Sequence, residues 1–144
     1  MSVTDQPQRH IVIDTNVLIS AALLPQSTTA RALTLAVERF VIAQNALTWR
    51  ELETRIARPK FDRYFAEGAR LRHLVRIAQS MQRFEIRAKV KACQDQDDDK
   101  FVGLALDAQA TIIITGDADL AVLKRYQEID ILSPAQFLQK FSVT

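Results

Sequence analysis

Two apolar runs, each closed by an aspartate, constrain this chain more than any other feature. Residues 10–13, His10-Ile11-Val12-Ile13, lead into Asp14, and Thr111-Ile112-Ile113-Ile114-Thr115 leads through Gly116 into Asp117. Continuous β-branched runs of this length suit strands buried on both faces, as in a parallel sheet, better than half-exposed strands, which alternate. Helix signals fill the space between them. Thr15 or Asn16 can cap a short helix through Leu18 and Ala22 that stops near Pro25, and Ser27-Thr28-Thr29 offers caps for a second with Ala32, Leu35, Ala36 and Arg39 at helical spacing. Residues 40–43 are a candidate strand. Asn45 caps a helix through Leu47, Glu51 and Ile56 that Pro59 ends, so Glu51 sits on a helix.

The pattern continues downstream. A helix is expected over 70–81 with Leu71, Leu74, Val75 and Ala78 as its apolar stripe, and a strand over 84–88. The acidic run 95–99 reads as the entry to a helix carrying Phe101, Val102, Ala105 and Leu106, since carboxylates favour a helix N-terminus. A helix follows Asp117 through Leu120, Val122 and Leu123, then a strand over 129–132, and Ser133-Pro134 opens a terminal helix. Alternating strands and helices predict an α/β fold, a central parallel sheet of four to five strands with helices on both faces. In such sheets ligands bind at the carboxyl ends of the strands, where Asp14 and Asp117 fall. The length, 144 residues, predicts a single domain over 1–144 with a polar lead at 1–9.

Composition narrows the chemistry. Hydrophobic residues at 48% and charged residues at 25% fit a folded, soluble protein. The start, MSVTDQPQRH, lacks a basic and apolar leader, and no apolar stretch approaches ~18 residues, so a cytoplasmic protein with no membrane association is expected. Cys93 is the lone cysteine, and His10 and His73 lie far apart, which removes a disulfide framework and a Cys/His zinc site. Any metal must then be held by oxygen. Charge is uneven: residues 50–91 hold twelve Lys or Arg against five acids, while 95–130 hold three against nine. Two solvated faces would explain this, and so would a polyanion track beside a cation-collecting pocket.

Four acids occupy places the topology can gather: Asp14, Glu51, Asp99 and Asp117. Singly, each has a plain explanation as a helix cap, a surface helical residue, a dipole partner or a turn residue. Together, clustered carboxylates repel unless neutralised, and without His or Cys a hard divalent cation such as Mg2+ or Mn2+ is the natural neutraliser. Such a site can bind phosphate oxygens and activate water.

The text around the acids adds weight. Ile11-Val12-Ile13-Asp14-Thr15-Asn16-Val17-Leu18 resembles the opening motif of PIN domains, and Asp97-Asp98-Asp99-Lys100-Phe101 with Ala105-Leu106, then Thr115-Gly116-Asp117-Ala118-Asp119-Leu120, resemble the family's third and fourth acidic motifs. The resemblance runs from about Ile11 to Phe141 and is nearest to bacterial and archaeal proteins described as toxin components of toxin–antitoxin systems, the VapC-like ribonucleases, where Ala57-Arg58-Pro59-Lys60-Phe61 also recurs. It implies a three-layer α/β/α PIN-like fold. It further implies Asp14, Glu51, Asp99 and Asp117 as catalytic and metal-holding acids, with Asp119 as an added metal ligand and Asp97 and Asp98 as alternates for Asp99. Thr15, Asn16 and Thr115 match polar positions that support the acids by hydrogen bonds. The implied reaction is Mg2+- or Mn2+-assisted attack of water on an RNA phosphodiester, leaving a 5′-phosphate and a 3′-hydroxyl. Implied partners are single-stranded RNA, a cognate antitoxin and a second copy of the chain.

Arg50, Arg55, Arg58 and Lys60 are the RNA-binding candidates, because phosphate contacts supply most sequence-independent affinity. Trp49, Phe61, Tyr64 and Phe65 can stack a base or simply fill core. Other classes fit less well. A haloacid dehalogenase-type phosphatase wants a second Asp two residues after the first, where this chain has Asn16, and a receiver domain wants a strand-end Lys partner that is not evident. A catalytically silent PIN fold that binds RNA or protein is the remaining alternative.

Overall fold

The computed structural model describes residues 9–66, 68–93 and 96–142. The expected lead at 1–8 and Asp95 lie outside the described residues; Arg9 opens the first strand. The elements run β1 (Arg9–Ile13), α1 (Thr15–Leu23), α2 (Thr28–Arg39), β2 (Phe40–Gln44), α3 (Ala46–Ile56), α4 (Ala69–Gln79), β3 (Met81–Arg83), α5 (Asp99–Ala108), β4 (Ile112–Ile114), α6 (Ala118–Ala121), β5 (Arg125–Tyr126), β6 (Ile129–Leu132) and α7 (Pro134–Phe141). Short 3-10 turns over Pro59–Tyr64 and Gln96–Asp98 precede α4 and α5.

The local reasons follow the side chains. Ser27 caps α2 by accepting from the Ala30 amide, Asn45 and Thr48 form a reciprocal capping box on α3, and Ser133 and Gln136 do the same on α7. Gln109, with φ of 55°, takes the left-handed conformation that ends α5. The sheet order is β3-β2-β1-β4-β6-β5, with every pair parallel except the antiparallel β5–β6 pair at one edge. Five parallel strands match the expected sheet, and β5 is an addition the sequence did not announce. Side chains alternate across β1 and β4. Ile11, Ile13, Ile112 and Ile114 join the core shared with α1, α2, α3 and α7, whereas Val12 and Ile113 join Phe101, Val102 and Leu104 of α5 on the opposite face. Three layers result. No helix among the described residues is long and apolar enough to cross a membrane.

Two expectations need correction. The strand expected over 84–88 lies earlier, at Met81–Arg83, because β2 ends at Gln44 and offers no backbone beyond it; Phe84 donates the last bond, to the Gln44 carbonyl at 2.8 Å. Past it the chain is held by Asp107, whose carboxylate accepts from the Arg87 and Ala88 amides at 3.0 and 2.9 Å. On α4 the stripe is also shifted. Leu74 packs on the core, but Leu71 and Val75 are exposed, and His73 and Ile77 face α2 instead. Apolar residues cover too much of this helix for spacing alone to select its inner face.

Candidate functional site

The strand order reverses between β1 and β4, where the chain leaves to opposite sides, and this switch point opens a crevice at the carboxyl ends of both strands. Asp14 leaves β1 there and Thr115-Gly116-Asp117 leaves β4. The Asp14 amide donates to the Ile114 carbonyl at 2.9 Å, so the two strand ends are level.

Asp14 is 3% exposed. Its Oδ1 accepts from the Asn16 amide at 2.9 Å, which caps α1, and its Oδ2 accepts from the Thr115 hydroxyl at 2.6 Å. The same hydroxyl oxygen accepts from the Asp117 amide at 2.9 Å, and Asp117 Oδ1 accepts from the Asp119 amide at 2.7 Å to cap α6. Thr115 therefore joins the two strand-end acids through one buried atom. Burial raises the Asp14 pKa above the ordinary carboxylate value; the bonds from Thr115 and Asn16 oppose this, and the charges of Asp117 and Glu51 add to it. Asp14, Asp117 and Glu51 thus share one electrostatic neighbourhood.

Glu51 lies on the face of α3 that meets the first turn of α5. Its Oε2 contacts the Lys100 ammonium at 2.6 Å and the Arg55 guanidinium at 3.3 Å, and Arg55 also donates to the Asn16 side-chain oxygen at 3.2 Å. The Glu51 side chain is only 13% exposed, far from the solvated helical residue its sequence context allows. Its Oε1 is buried without a hydrogen-bond partner.

The three adjacent aspartates differ. Asp97 is exposed, whereas Asp98 and Asp99 are each 8% exposed. Asp99 Oδ1 accepts from the Ala92 and Cys93 amides at 3.0 and 2.7 Å, which fastens the segment after β3 to α5. Burial pushes the Cys93 thiol up to about 12, followed by its hydrogen bond to Asp99 and the charges of Asp99, Asp119 and Asp98. The charges of these three acids therefore converge on Cys93.

Thr15, the residue after Asp14, is buried. Of the aromatic candidates, Trp49, Phe61 and Phe65 pack against the core, and Tyr64 is exposed. Lys60 lies over the Phe61 ring in the 3-10 turn. Sequence reasoning assigned no role to Lys100; its place after the acidic run was visible, but its contact with Glu51 depends on how α3 meets α5.

The donor set is all oxygen, which suits a hard divalent cation, and the orphaned Glu51 Oε1 and the mutually repelling Asp14 and Asp117 both fit a nearby positive charge. Among the described residues no group of three acids, thiols or imidazoles stands close enough together to hold an ion, and Lys100 and Arg55 both contact the other Glu51 oxygen.

The chain is similar to known proteins in both sequence and fold. An uncharacterised protein of Methanocaldococcus jannaschii is 29% identical over 141 residues, covering 91% of this chain and 90% of that protein. VapBC2 from Rickettsia felis, solved bound to a DNA fragment from its promoter, includes a chain that superposes with a TM-score of 0.59 at 13% identity, covering 85% of this chain and 96% of that one. A family profile described as PIN domain matches residues 10–119, from the start of β1 through the second strand-end loop. That match spans the acids joined by Thr115, Glu51 on α3 and the aspartates opening α5, and the chain belongs to the PIN-domain family.

Proposed function

We propose that this protein is a metal-dependent endoribonuclease, the toxin of a toxin–antitoxin pair, acting on single-stranded RNA in the cytoplasm. PIN domains are generally nucleases that use divalent ions, and the fold neighbour is a toxin–antitoxin complex. The observation that carries the reading is the buried junction at the switch point, Asp14 and Asp117 joined through the Thr115 hydroxyl, with the Glu51 charge beside them. A buried carboxylate beside two others costs stability, and such a cost fits a site made for a cation.

Asp14, Asp117, Glu51 and Asp99 are the residues that would hold Mg2+ or Mn2+, with Asp119 beside Asp117 and with Asp98 and Asp97 as alternates for Asp99. Held there, such an ion would supply Lewis-acid chemistry, activating water and offsetting charge on the phosphate. Attack forms the new P–O bond, the bond to the 3′-oxygen breaks, and that oxygen takes a proton, giving a 5′-phosphate and a 3′-hydroxyl. Thr115 holds Asp14 in one rotamer and favours its ionised form, against the burial that raises its pKa. The Asn16 amide fixes the other oxygen, and Arg55 ties the Asn16 side chain to Glu51.

The test is cleavage of a mixed single-stranded RNA with Mg2+, Mn2+ or EDTA, beside a folded Asp14→Asn variant, together with growth of cells expressing either form. Metal-dependent cutting and growth arrest, both lost in the variant, are expected. A PIN fold that binds RNA without cutting it draws on one observation, the neutralisation of Glu51 by Lys100 and Arg55 from within the chain. Absence of cutting by folded, metal-saturated protein across many RNAs would turn the assignment to that binding role.

A further inference from the structure

A groove of about 400 Å3 opens between α3 and the entry to α5, beside Glu51 but distinct from the strand-end junction. Its volume lies in the range of small-ligand clefts. One wall is a stripe of α3 and its exit, with Leu47, Arg50, Thr54 and Arg58 spaced three or four apart; Lys100 stands on the other wall. Four cations, Arg50, Arg55, Arg58 and Lys100, line this concavity against two acids, Glu51 and Asp97.

The cations divide into two pairs. Arg55 and Lys100 are engaged with Glu51, whereas among the described residues Arg50 and Arg58 have no carboxylate partner, although both face the groove. Two guanidinium groups eight positions apart, with an apolar Leu47 and a Thr54 hydroxyl beside them, form a surface suited to a phosphate oxygen and the sugar or base attached to it. Other arginines of the basic stretch are paired on the surface, as Arg70 with Asp62 and Arg87 with Glu85.

We propose that this groove is a phosphate subsite for the RNA backbone next to the bond that is cut, with Arg50 and Arg58 as its anion-binding residues. The identity of the ligand as RNA rests on the nuclease reading above. Lys100 places its ammonium on Glu51 and offsets that charge, so a bound phosphate meets four cations against the two acids, Glu51 and Asp97, that share the groove. Recognition through phosphate makes this subsite indifferent to base sequence.

The test is fluorescence anisotropy of a fluorescein-labelled, ten-nucleotide, mixed-sequence single-stranded RNA, titrated with full-length protein in EDTA from 50 to 200 mM KCl. The Arg50→Ala/Arg58→Ala double variant should bind about tenfold or more weakly, with a salt slope shallower by about 1.4, two single-strand contacts at about 0.7 each. Arg50→Lys/Arg58→Lys should recover most of the affinity. Arg76→Ala, in the same basic stretch but on α4, should bind within about twofold of wild type. Unchanged affinity and slope in the double alanine variant would overturn the subsite, as would equal losses from Arg76→Ala or no binding by wild type at 50 mM KCl. Cleavage with Mn2+ separates the two claims. If the subsite fails alone, the double variant binds and cuts like wild type; if the nuclease reading fails alone, no protein cuts while the binding loss persists.

Discussion

Thr115→Val removes one buried oxygen while keeping the β-branched shape that β4 needs as it ends. In the wild type that oxygen donates to Asp14 at 2.6 Å and accepts from the Asp117 amide at 2.9 Å. A hydrogen bond to a charged group contributes about 1.5–3 kcal/mol, and an amide stranded by loss of its acceptor costs about 1–3 kcal/mol. Asp117 is only half-buried, so water can reach its amide and the second contribution falls at the low end. The expected loss is about 2–4 kcal/mol. With unfolding entropy of about 2.1 cal/mol/K per residue, this chain shifts about 3 °C per kcal/mol, giving a Tm about 6–12 °C lower. Urea unfolding in EDTA at pH 8 measures the loss free of metal. A double-mutant cycle with Asp14→Asn then tests its origin: in the Asp14→Asn background the same change should cost at least about 1 kcal/mol less, because the charge is gone. A loss under about 0.5 kcal/mol, or equal losses in both backgrounds, would refute the idea that Thr115 is the junction of the site.

Other consequences can be measured on the same proteins. Because the folded state raises the Asp14 pKa, it holds that proton more tightly than the unfolded chain does; the contribution is fully present below the ordinary aspartate value of 3.8 and is lost as pH rises through the folded value. The stability advantage of Asp14→Asn over wild type in EDTA should therefore grow from pH 4 upward and then level off, and a pH-independent difference would contradict this. With its thiol pushed up to about 12, Cys93 should react with iodoacetamide at pH 8 at least about a hundredfold more slowly than an exposed cysteine, and faster after Asp99→Asn. Ordinary reactivity would show the thiol to be unperturbed. Asp99→Ala should release the Ala92 and Cys93 amides, seen as faster hydrogen exchange at those two positions, with about 1–3 kcal/mol lost; retained protection there would assign the anchoring elsewhere.

The strand-end acids were legible because burial on both faces leaves a strand no choice but an unbroken apolar run, and such runs stop where the sheet stops. Asp14 and Asp117 could be placed from that alone. The caps at Ser27, Asn45 and Ser133 were legible for a similar reason, each being a local bond within three residues. What escaped depended on neighbours remote in sequence. β3 sits at Met81–Arg83 because of where β2 ends, not because its own residues favour a strand over those at 84–88. The inner face of α4, which puts Leu74 on the core and leaves Leu71 and Val75 exposed, is set by neighbours outside the helix. Lys100 reaches Glu51 across 49 positions of sequence, and no pattern within α5 announces it. Among the aspartates at 97–99 helical rotation separates exposed Asp97 from buried Asp98 and Asp99, but the amides that Asp99 collects belong to a segment of no regular structure.

The two borders of the sheet carry a further consequence. β3 has three residues and β5 two, each includes an arginine, and β5 runs against its neighbour. So short and charged a border is a poor template for strand addition, since an incoming chain gains few backbone bonds and meets a guanidinium at each end. Growth of the sheet into oligomers, or capture of a partner as an extra strand, is thereby discouraged. A protein that associates with this chain is therefore expected to bind it elsewhere than along the sheet edges.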